Sequence, residues 1–182
     1  MTHLESRPLL TFDLDGVLCS PPFGINPGRK KVTRNSLNTS PRLPSILWLF
    51  EQWRYKGRRP MPEAVEALSE FQKLYRCVIV SARSEAARKE TEAWLEKYFQ
   101  QVPDLFLRPT WRETPSVYKA RVIQELSSSA HFEDDPRTAI LLSDHVPQVF
   151  LIDWPRNSEI SGEQIQRIEK IGDAKEYLEK LR

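Results

Sequence analysis

Short apolar runs alternate with stretches of helical periodicity along most of this 182-residue chain, and that alternation restricts the fold more tightly than any other feature. Leu9 to Phe12, Cys77 to Ser81, Asp104 to Leu107, Ala130 to Glu133 and Val149 to Ile152 read as strands. Between them lie four helical segments. One runs from Pro62 to Tyr75 with Val65, Leu68 and Phe71 on one face, and one is capped by Ser84 and carries Ala87, Thr91, Trp94, Leu95 and Tyr98. Thr114-Pro115 opens a third with Tyr118, Val122, Ile123 and Leu126, and Asp135-Pro136 opens a fourth that reaches about Asp144. The tail reads as a helix from Ser161, broken at Gly172-Asp173, and a second helix ending near Leu181. Unbroken apolar runs suit parallel strands covered on both faces. Their alternation with helices predicts an α/β protein: a doubly wound, Rossmann-like parallel sheet with helices on both sides.

The balance of 40% apolar and 29% charged residues is that of one globular domain and excludes disordered or collagen-like chains. One stretch interrupts the alternation. From Cys19 to Pro44 the chain is rich in Pro, Gly, Ser and Asn, and an aromatic helix is predicted over about residues 43–55. Residues 19–60 therefore read as an insertion into a core made of 1–18 and 61–182. Nine basic residues face one acid, Glu51, in that segment, a net +8 in a chain whose total is +2. An anionic ligand or surface is one reading of this bias, and a solvated face is the other. The run Ile46 to Tyr55 is read first as a helix packed on the core, with base stacking or contact with an anionic membrane as alternatives. Cys19 and Cys77 match no metal or disulfide spacing, which predicts reduced thiols and a cytoplasmic setting. The first ten residues read as neither a leader nor a span, and no apolar run is long enough to cross a bilayer.

In doubly wound sheets, ligands bind beyond the carboxyl ends of the strands. The polar residues of interest stand there: Asp13 and Asp15 after the first strand, Ser81 after the second, and Glu133, Asp134 and Asp135 after the fourth. Side chains two apart on a strand share a side, so Asp13 and Asp15 can serve one site. Two carboxylates 4 Å apart repel by roughly 4 kcal/mol at an effective dielectric near 20, which calls for a cation. Mg²⁺, a hard ion preferring oxygen ligands, fits that need, and Lys119 can add a fixed positive charge. Each residue also has an ordinary reading: turn residues for the Asp-Gly pair, a helix approach for Ser81, an N-cap for Asp135, a solvated charge for Lys119. His131 and His145 read as structural.

Taken together, these positions resemble a known family. Phe12-Asp13-Leu14-Asp15-Gly16-Val17-Leu18 is similar to motif one of the haloacid dehalogenase superfamily of phosphotransferases, Val80-Ser81-Ala82-Arg83 to motif two, Lys119 to motif three, and Phe132-Glu133-Asp134-Asp135-Pro136 to the acidic motif four. The resemblance covers residues 8–18 and 61–153. Motif four departs from the pattern, since three consecutive acids leave the metal ligand ambiguous; Asp134 is the first choice and Asp135 the second.

The resemblance implies a Rossmann-like core with a small cap in the 19–60 insertion, and a Mg²⁺-dependent phosphomonoester hydrolase. Asp13 would attack phosphorus, Asp15 would act as general acid and then base, Ser81 would hold a phosphoryl oxygen, and Lys119 would stabilise the charge. Mg²⁺ would be held by Asp13, Asp15 through its main-chain oxygen, and Asp134 or Asp135. Dehalogenases of the superfamily need no acid two residues after the nucleophile, so Asp15 favours phosphoryl chemistry. Ser81, Ala82, Arg83 and Arg108 would line the substrate site, with Arg83 and Arg108 equally able to serve as structural ion-pair partners. Similarity to polynucleotide kinase phosphatase domains and deoxyribonucleotidases implies a nucleotide or a nucleic-acid end phosphate. A sugar phosphate, a lipid head group, or a binding module without turnover are the alternatives.

Overall fold

A computed structural model of the chain describes residues 7–21, 57–110 and 112–180. Six parallel strands form one sheet: β1 Leu9–Phe12, β2 Arg76–Ser84, β3 Asp104–Arg108, β4 Ala130–Glu133, β5 Gln148–Ile152 and β6 Ile165–Ile168. Their order is β3-β2-β1-β4-β5-β6. Among the described residues five α-helices accompany them: α1 Ala64–Leu74, α2 Arg88–Tyr98, α3 Pro115–Glu125, α4 Pro136–Leu142 and α5 Lys175–Lys180. This is the doubly wound α/β arrangement that the alternation predicts.

Strand alternation sorts the core into two layers. Phe12, Phe132 and Phe150, from three adjacent strands, stack on one face with ring centroids 4.5 and 4.9 Å apart, under Leu68 and Phe71 of α1 and Leu178 of α5. Val78, Val80, Val149 and Leu151 point the other way, against Tyr118, Val122 and Ile123 of α3 and Leu142 of α4. These strands are buried on both faces, which is why they read as continuous apolar runs.

Three boundaries differ from the sequence reading. The tail holds a strand, β6, where a helix was predicted. Ile165 and Ile168 have the three-residue spacing of a helix face, but on β6 that odd spacing sends them to opposite faces of the sheet, one into each core layer. Gly172-Asp173 does mark a break, a short 3₁₀ turn over Ile171–Ala174 that precedes α5. Helix α1 begins at Ala64, because Glu63 adopts a left-handed backbone (φ 60°) and leaves Pro62 outside. Strand β2 runs on to Ser84, so the Ser81-Ala82-Arg83 triplet lies within it. Opposite β3 the register breaks between Ser81 and Ser84, leaving Ala82 and Arg83 as a bulge that redirects the strand end.

The aromatic helix predicted over 43–55 and most of the 19–60 segment lie outside the described residues. The two ends of that segment are described, and they pair. The Ser20 amide donates to the Arg59 carbonyl and the Met61 amide to the Leu18 carbonyl, each at 2.8 Å, so the chain returns to the place where it left the core. Among the described residues, no helix is long and apolar enough to cross a membrane.

Candidate functional site

Strand order reverses between β1 and β4, and the crevice beyond their carboxyl ends is where such sheets bind ligands. The strand pairing brings the acids there. Phe12 is level with Phe132, and the Asp13 amide continues the ladder by donating to the Phe132 carbonyl at 2.9 Å. Asp13 therefore leaves β1 beside Glu133, with Asp134 one residue farther along. Asp13, Glu133 and Asp134 each present an oxygen within 4.8 Å of the others, and all three are buried.

Gly16 makes this approach possible. Its φ of +87° is accessible to glycine at little cost, and a Cβ there would lie 2.0 Å from Asp134 Oδ2. The turn that follows β1 thus packs backbone directly against the second carboxylate.

Lys119 sits in α3 on the same helical face as Val122, Ile123 and Leu126, so burial of that face carries its ammonium inward. Its Nζ donates to Asp13 Oδ2 at 2.9 Å and to Glu133 Oε2 at 2.7 Å. Glu133 is saturated. Oε1 accepts from the Asp134 and Asp135 amides, both at 3.0 Å, and Oε2 accepts from Lys119 and from His131 Nε2 at 3.2 Å. Four donors fill the lone-pair sites of a carboxylate, so Glu133 is a support of the cluster.

Asp135 has a different task. Its Oδ2 accepts from the Thr138 amide and hydroxyl, both at 3.0 Å, which caps α4. That is the ordinary N-cap reading of the sequence, and it turns the carboxylate toward the helix.

Asp15, one third exposed, is gripped by a fork. Arg83 donates through Nε to Oδ2 at 2.8 Å and through Nη2 to Oδ1 at 2.7 Å, while Arg58 also donates to Oδ1. Arg83 is 2% exposed and bonds Thr91 Oγ1 as well, so it is fixed from the core side. Arg58 comes from the arm by which the 19–60 segment rejoins the core, and its carbonyl accepts from the Trp94 indole at 2.9 Å. Ser81 is buried on β2, next to β1, and its hydroxyl oxygen accepts from the Arg83 amide at 3.3 Å; Ala82 is half-buried beside it. Arg108 stands apart. It ends β3, two strands from β1 and thus roughly 10 Å across the sheet, and it donates to the Glu113 carbonyl at 3.0 Å.

Arg156 is a site residue that the sequence reading omits. It lies in the turn after β5 and donates to both the carboxylate and the main-chain oxygen of Asp134. Asn157, fully buried, donates to the same main-chain oxygen at 3.2 Å. The available signal was positional: β5 ends at the same rim, so the Trp154-Pro155-Arg156-Asn157 turn had to fall there too.

The electrostatics follow from this crowding. Burial pushes the Asp13 carboxyl well up; Lys119 opposes that rise, and Glu133 and Asp134 add to it. Burial likewise pushes Asp134 up to about 7 despite Arg156. Asp15 goes the other way, since Arg83 and Arg58 outweigh its burial and hold it below the usual range. A pair of buried oxygens whose ionisation is resisted is the donor set that a hard divalent cation stabilises.

No protein-family model matches the sequence, and no curated protein shows significant similarity to it. Solved structures do. A haloacid dehalogenase-like family protein from Streptococcus pneumoniae aligns with a TM-score of 0.62 at 16% identity, covering 96% of this chain and 99% of that one. A D,D-heptose 1,7-bisphosphate phosphatase from B. bronchiseptica, complexed with magnesium and phosphate, aligns at 0.56 and 11%, covering 96% and 99%. A chain of the Pnkp1/Rnl/Hen1 RNA repair complex aligns at 0.60 and 16%; 85% of this chain is covered, and it spans 45% of that longer one. A 2-haloacid dehalogenase from Pseudomonas syringae also aligns, at 0.58 and 11%. With its reversal of strand order at β1 and β4 and its acids at that rim, the chain has the fold of the haloacid dehalogenase superfamily.

Proposed function

We propose that the protein is a Mg²⁺-dependent phosphomonoester hydrolase that works through an aspartyl-phosphate intermediate. The observation that carries this reading is the placement of Asp13 at the tip of β1, in contact with the buried Lys119 ammonium and beside Asp134, with Asp15 two residues on. Asp13 and Asp134 are the residues that would hold the ion. Bound there, Mg²⁺ would offset the repulsion between carboxylate and phosphate and favour the ionised form of both acids.

An Asp13 oxygen attacks phosphorus, and the bond from phosphorus to the leaving oxygen breaks. Asp15 gives that oxygen a proton, then accepts one from the water that attacks phosphorus and frees Asp13. In the described state two guanidinium groups keep Asp15 ionised. A phosphate dianion bound beside it competes for the same groups, which shifts Asp15 toward the protonated form that the first step needs. Lys119 stays charged, aims the Asp13 oxygen for attack, and balances the charge that returns to Asp13 when water displaces it from phosphorus. Ser81, buried on β2 beside β1, would serve as a phosphoryl-oxygen donor. Asp135 serves the site as the cap of α4. We assign the substrate to nucleotides or nucleic-acid end phosphates, on the basic balance of the 19–60 segment and the fold shared with an RNA repair protein.

Steady-state hydrolysis of an aryl phosphate with Mg²⁺ tests the reaction, and Asp13→Asn is expected to abolish it. Turnover surviving that change would refute the covalent route. The same assay across 3′-phosphorylated oligonucleotides, nucleoside monophosphates, sugar phosphates and phospholipid head groups tests the substrate. Preference for either of the last two would refute the nucleotide assignment, and halide release from a 2-haloacid without phosphatase activity would refute the reaction class.

A further inference from the structure

Thr11 and His131 are polar residues inside fully buried strands, and the mechanism above uses neither. They are partners in the β1–β4 register, so their side chains rise together on the face covered by α3 and α4. Two residues farther along each strand, on that same face, stand Asp13 and Glu133. Thr11 Oγ1 lies 2.9 Å from His131 Nδ1 and 2.9 Å from Ser128 Oγ. His131 Nε2 lies 3.2 Å from Glu133 Oε2, the oxygen that also receives the Lys119 ammonium.

A carboxylate only accepts, so His131 Nε2 is the donor in its bond to Glu133. A neutral ring then offers Nδ1 as an acceptor to the Thr11 hydroxyl. With the Thr11 proton given to Nδ1, Ser128 completes the line by donating its hydroxyl proton to Thr11 Oγ1. Thr11, His131 and Glu133 are all 0% exposed. A lone structural histidine would need one polar partner at each nitrogen. Here the second partner is the carboxylate that aims the lysine, and the line ends on the residue assigned as nucleophile.

We propose that Thr11 and His131 are positioning residues that act through Glu133 to hold the Lys119 ammonium against Asp13. The inference rests on the phosphatase reading and deepens it. Glu133 Oε2 is shared by two donors, and the His131 hydrogen bond fixes its tilt; without that bond the carboxylate can follow Lys119 away from Asp13. The effect falls on the chemical steps, because Lys119 aims the Asp13 oxygen for attack and balances the charge that returns to it on hydrolysis, while ground-state binding of the ester is left largely unchanged.

Four variants assayed for aryl phosphate hydrolysis with Mg²⁺ test this, each checked for folding by circular dichroism. His131→Gln keeps an N–H donor near the Nε2 position, and His131→Asn keeps one only near Nδ1. Loss of such an outer hydrogen bond costs about 10- to 100-fold. His131→Asn should therefore lower kcat at least tenfold with KM unchanged, and His131→Gln should restore most of it. Should both His131 variants fail to fold, Thr11→Val is expected to lower kcat, and Thr11→Ser to restore it. Equal losses within either pair, wild-type kcat throughout, or a change confined to KM would overturn the proposal. A wild-type protein that turns over no phosphate ester would instead remove the phosphatase reading on which the proposal stands.

Discussion

Gly16→Ala probes the joint between the β1 turn and the acidic site. The backbone at Gly16 has φ +87°, a region that costs a residue with a Cβ roughly 1–2 kcal/mol. The new methyl would start 2.0 Å from Asp134 Oδ2 and 2.4 Å from its Cγ. Ordinary van der Waals contact begins at 3.4 Å, so the carboxylate has to retreat by about 1.4 Å or the turn has to open. Asp134 has little room to retreat, being buried, held by Arg156 and fixed at its main-chain oxygen by Asn157. Backbone strain alone should lower Tm by about 2–8 °C for a chain of this size. The displaced carboxylate should weaken divalent-ion binding by at least tenfold, as losses near metal ligands do. Mn²⁺ titration followed by electron paramagnetic resonance, alongside thermal unfolding, reads both effects without relying on turnover. A variant with wild-type Mn²⁺ affinity would show that Asp134 is not a ligand, and an unchanged Tm would show that the turn tolerates a side chain.

Two further outcomes follow from the charge balance. Mg²⁺ at about 100 times its dissociation constant should stabilise the fold by about 2.7 kcal/mol, which is roughly 5–11 °C in Tm; Asp13→Asn should remove most of that gain, and an equal gain in the variant would place the ion elsewhere. Asp134 also predicts a pH trend. Its carboxyl is raised from 3.8 to about 7 by burial, so without a divalent ion the folded state holds a proton that the unfolded chain has released. The stability that this supplies is fully present below pH 3.8 and is lost as pH rises through about 7. Urea unfolding from pH 4 to 8 should show a steeper decline in wild type than in Asp134→Asn, and Mg²⁺ should flatten the wild-type trend; matching slopes in the two proteins would refute the assignment.

The legible parts of this molecule are those where burial leaves a direct mark on residue type. Strands covered on both faces had to be apolar, and the polar residues that end them had to mark the rim, so Asp13, Asp15, Ser81, Asp134 and Asp135 could be located from the chain alone. Lys119 could be named only as a fixed charge able to serve the acids and through the family resemblance, and the buried helix face that carries it inward is seen only in the fold. What escaped depends on pairing between distant segments. Whether Asp135 serves α4 or a ligand is decided by one side-chain rotation toward Thr138. Arg156 becomes a partner of Asp134 only once β5 is placed beside β4. His131 joins Glu133 because two side chains on one strand share a face, and that relation was hidden by the similar appearance of any buried histidine. Strand β6 was missed because a strand spanning two core layers can imitate helical spacing.

The rim also joins the returning end of the basic segment to one of the acids. Asp13 shares a single ammonium with Glu133, and Asp134 has Arg156, so each of these acids is answered from within the folded core. Asp15 is answered partly from outside it, because Arg58 arrives on the arm that returns from residues 19–60 and is anchored there by Trp94. On the proposed reading, an anion recruited by the basic segment would meet a guanidinium already committed to Asp15. Drawing Arg58 toward the ligand releases one of the two cations that keep Asp15 ionised, while Arg83 holds the carboxylate in place from below. On the proposed reading, recognition at the insertion and proton readiness at Asp15 would be two ends of one ion pair, so Arg58→Ala should change both KM for a phosphorylated oligonucleotide and the pH profile of kcat, and a change in one alone would refute the coupling.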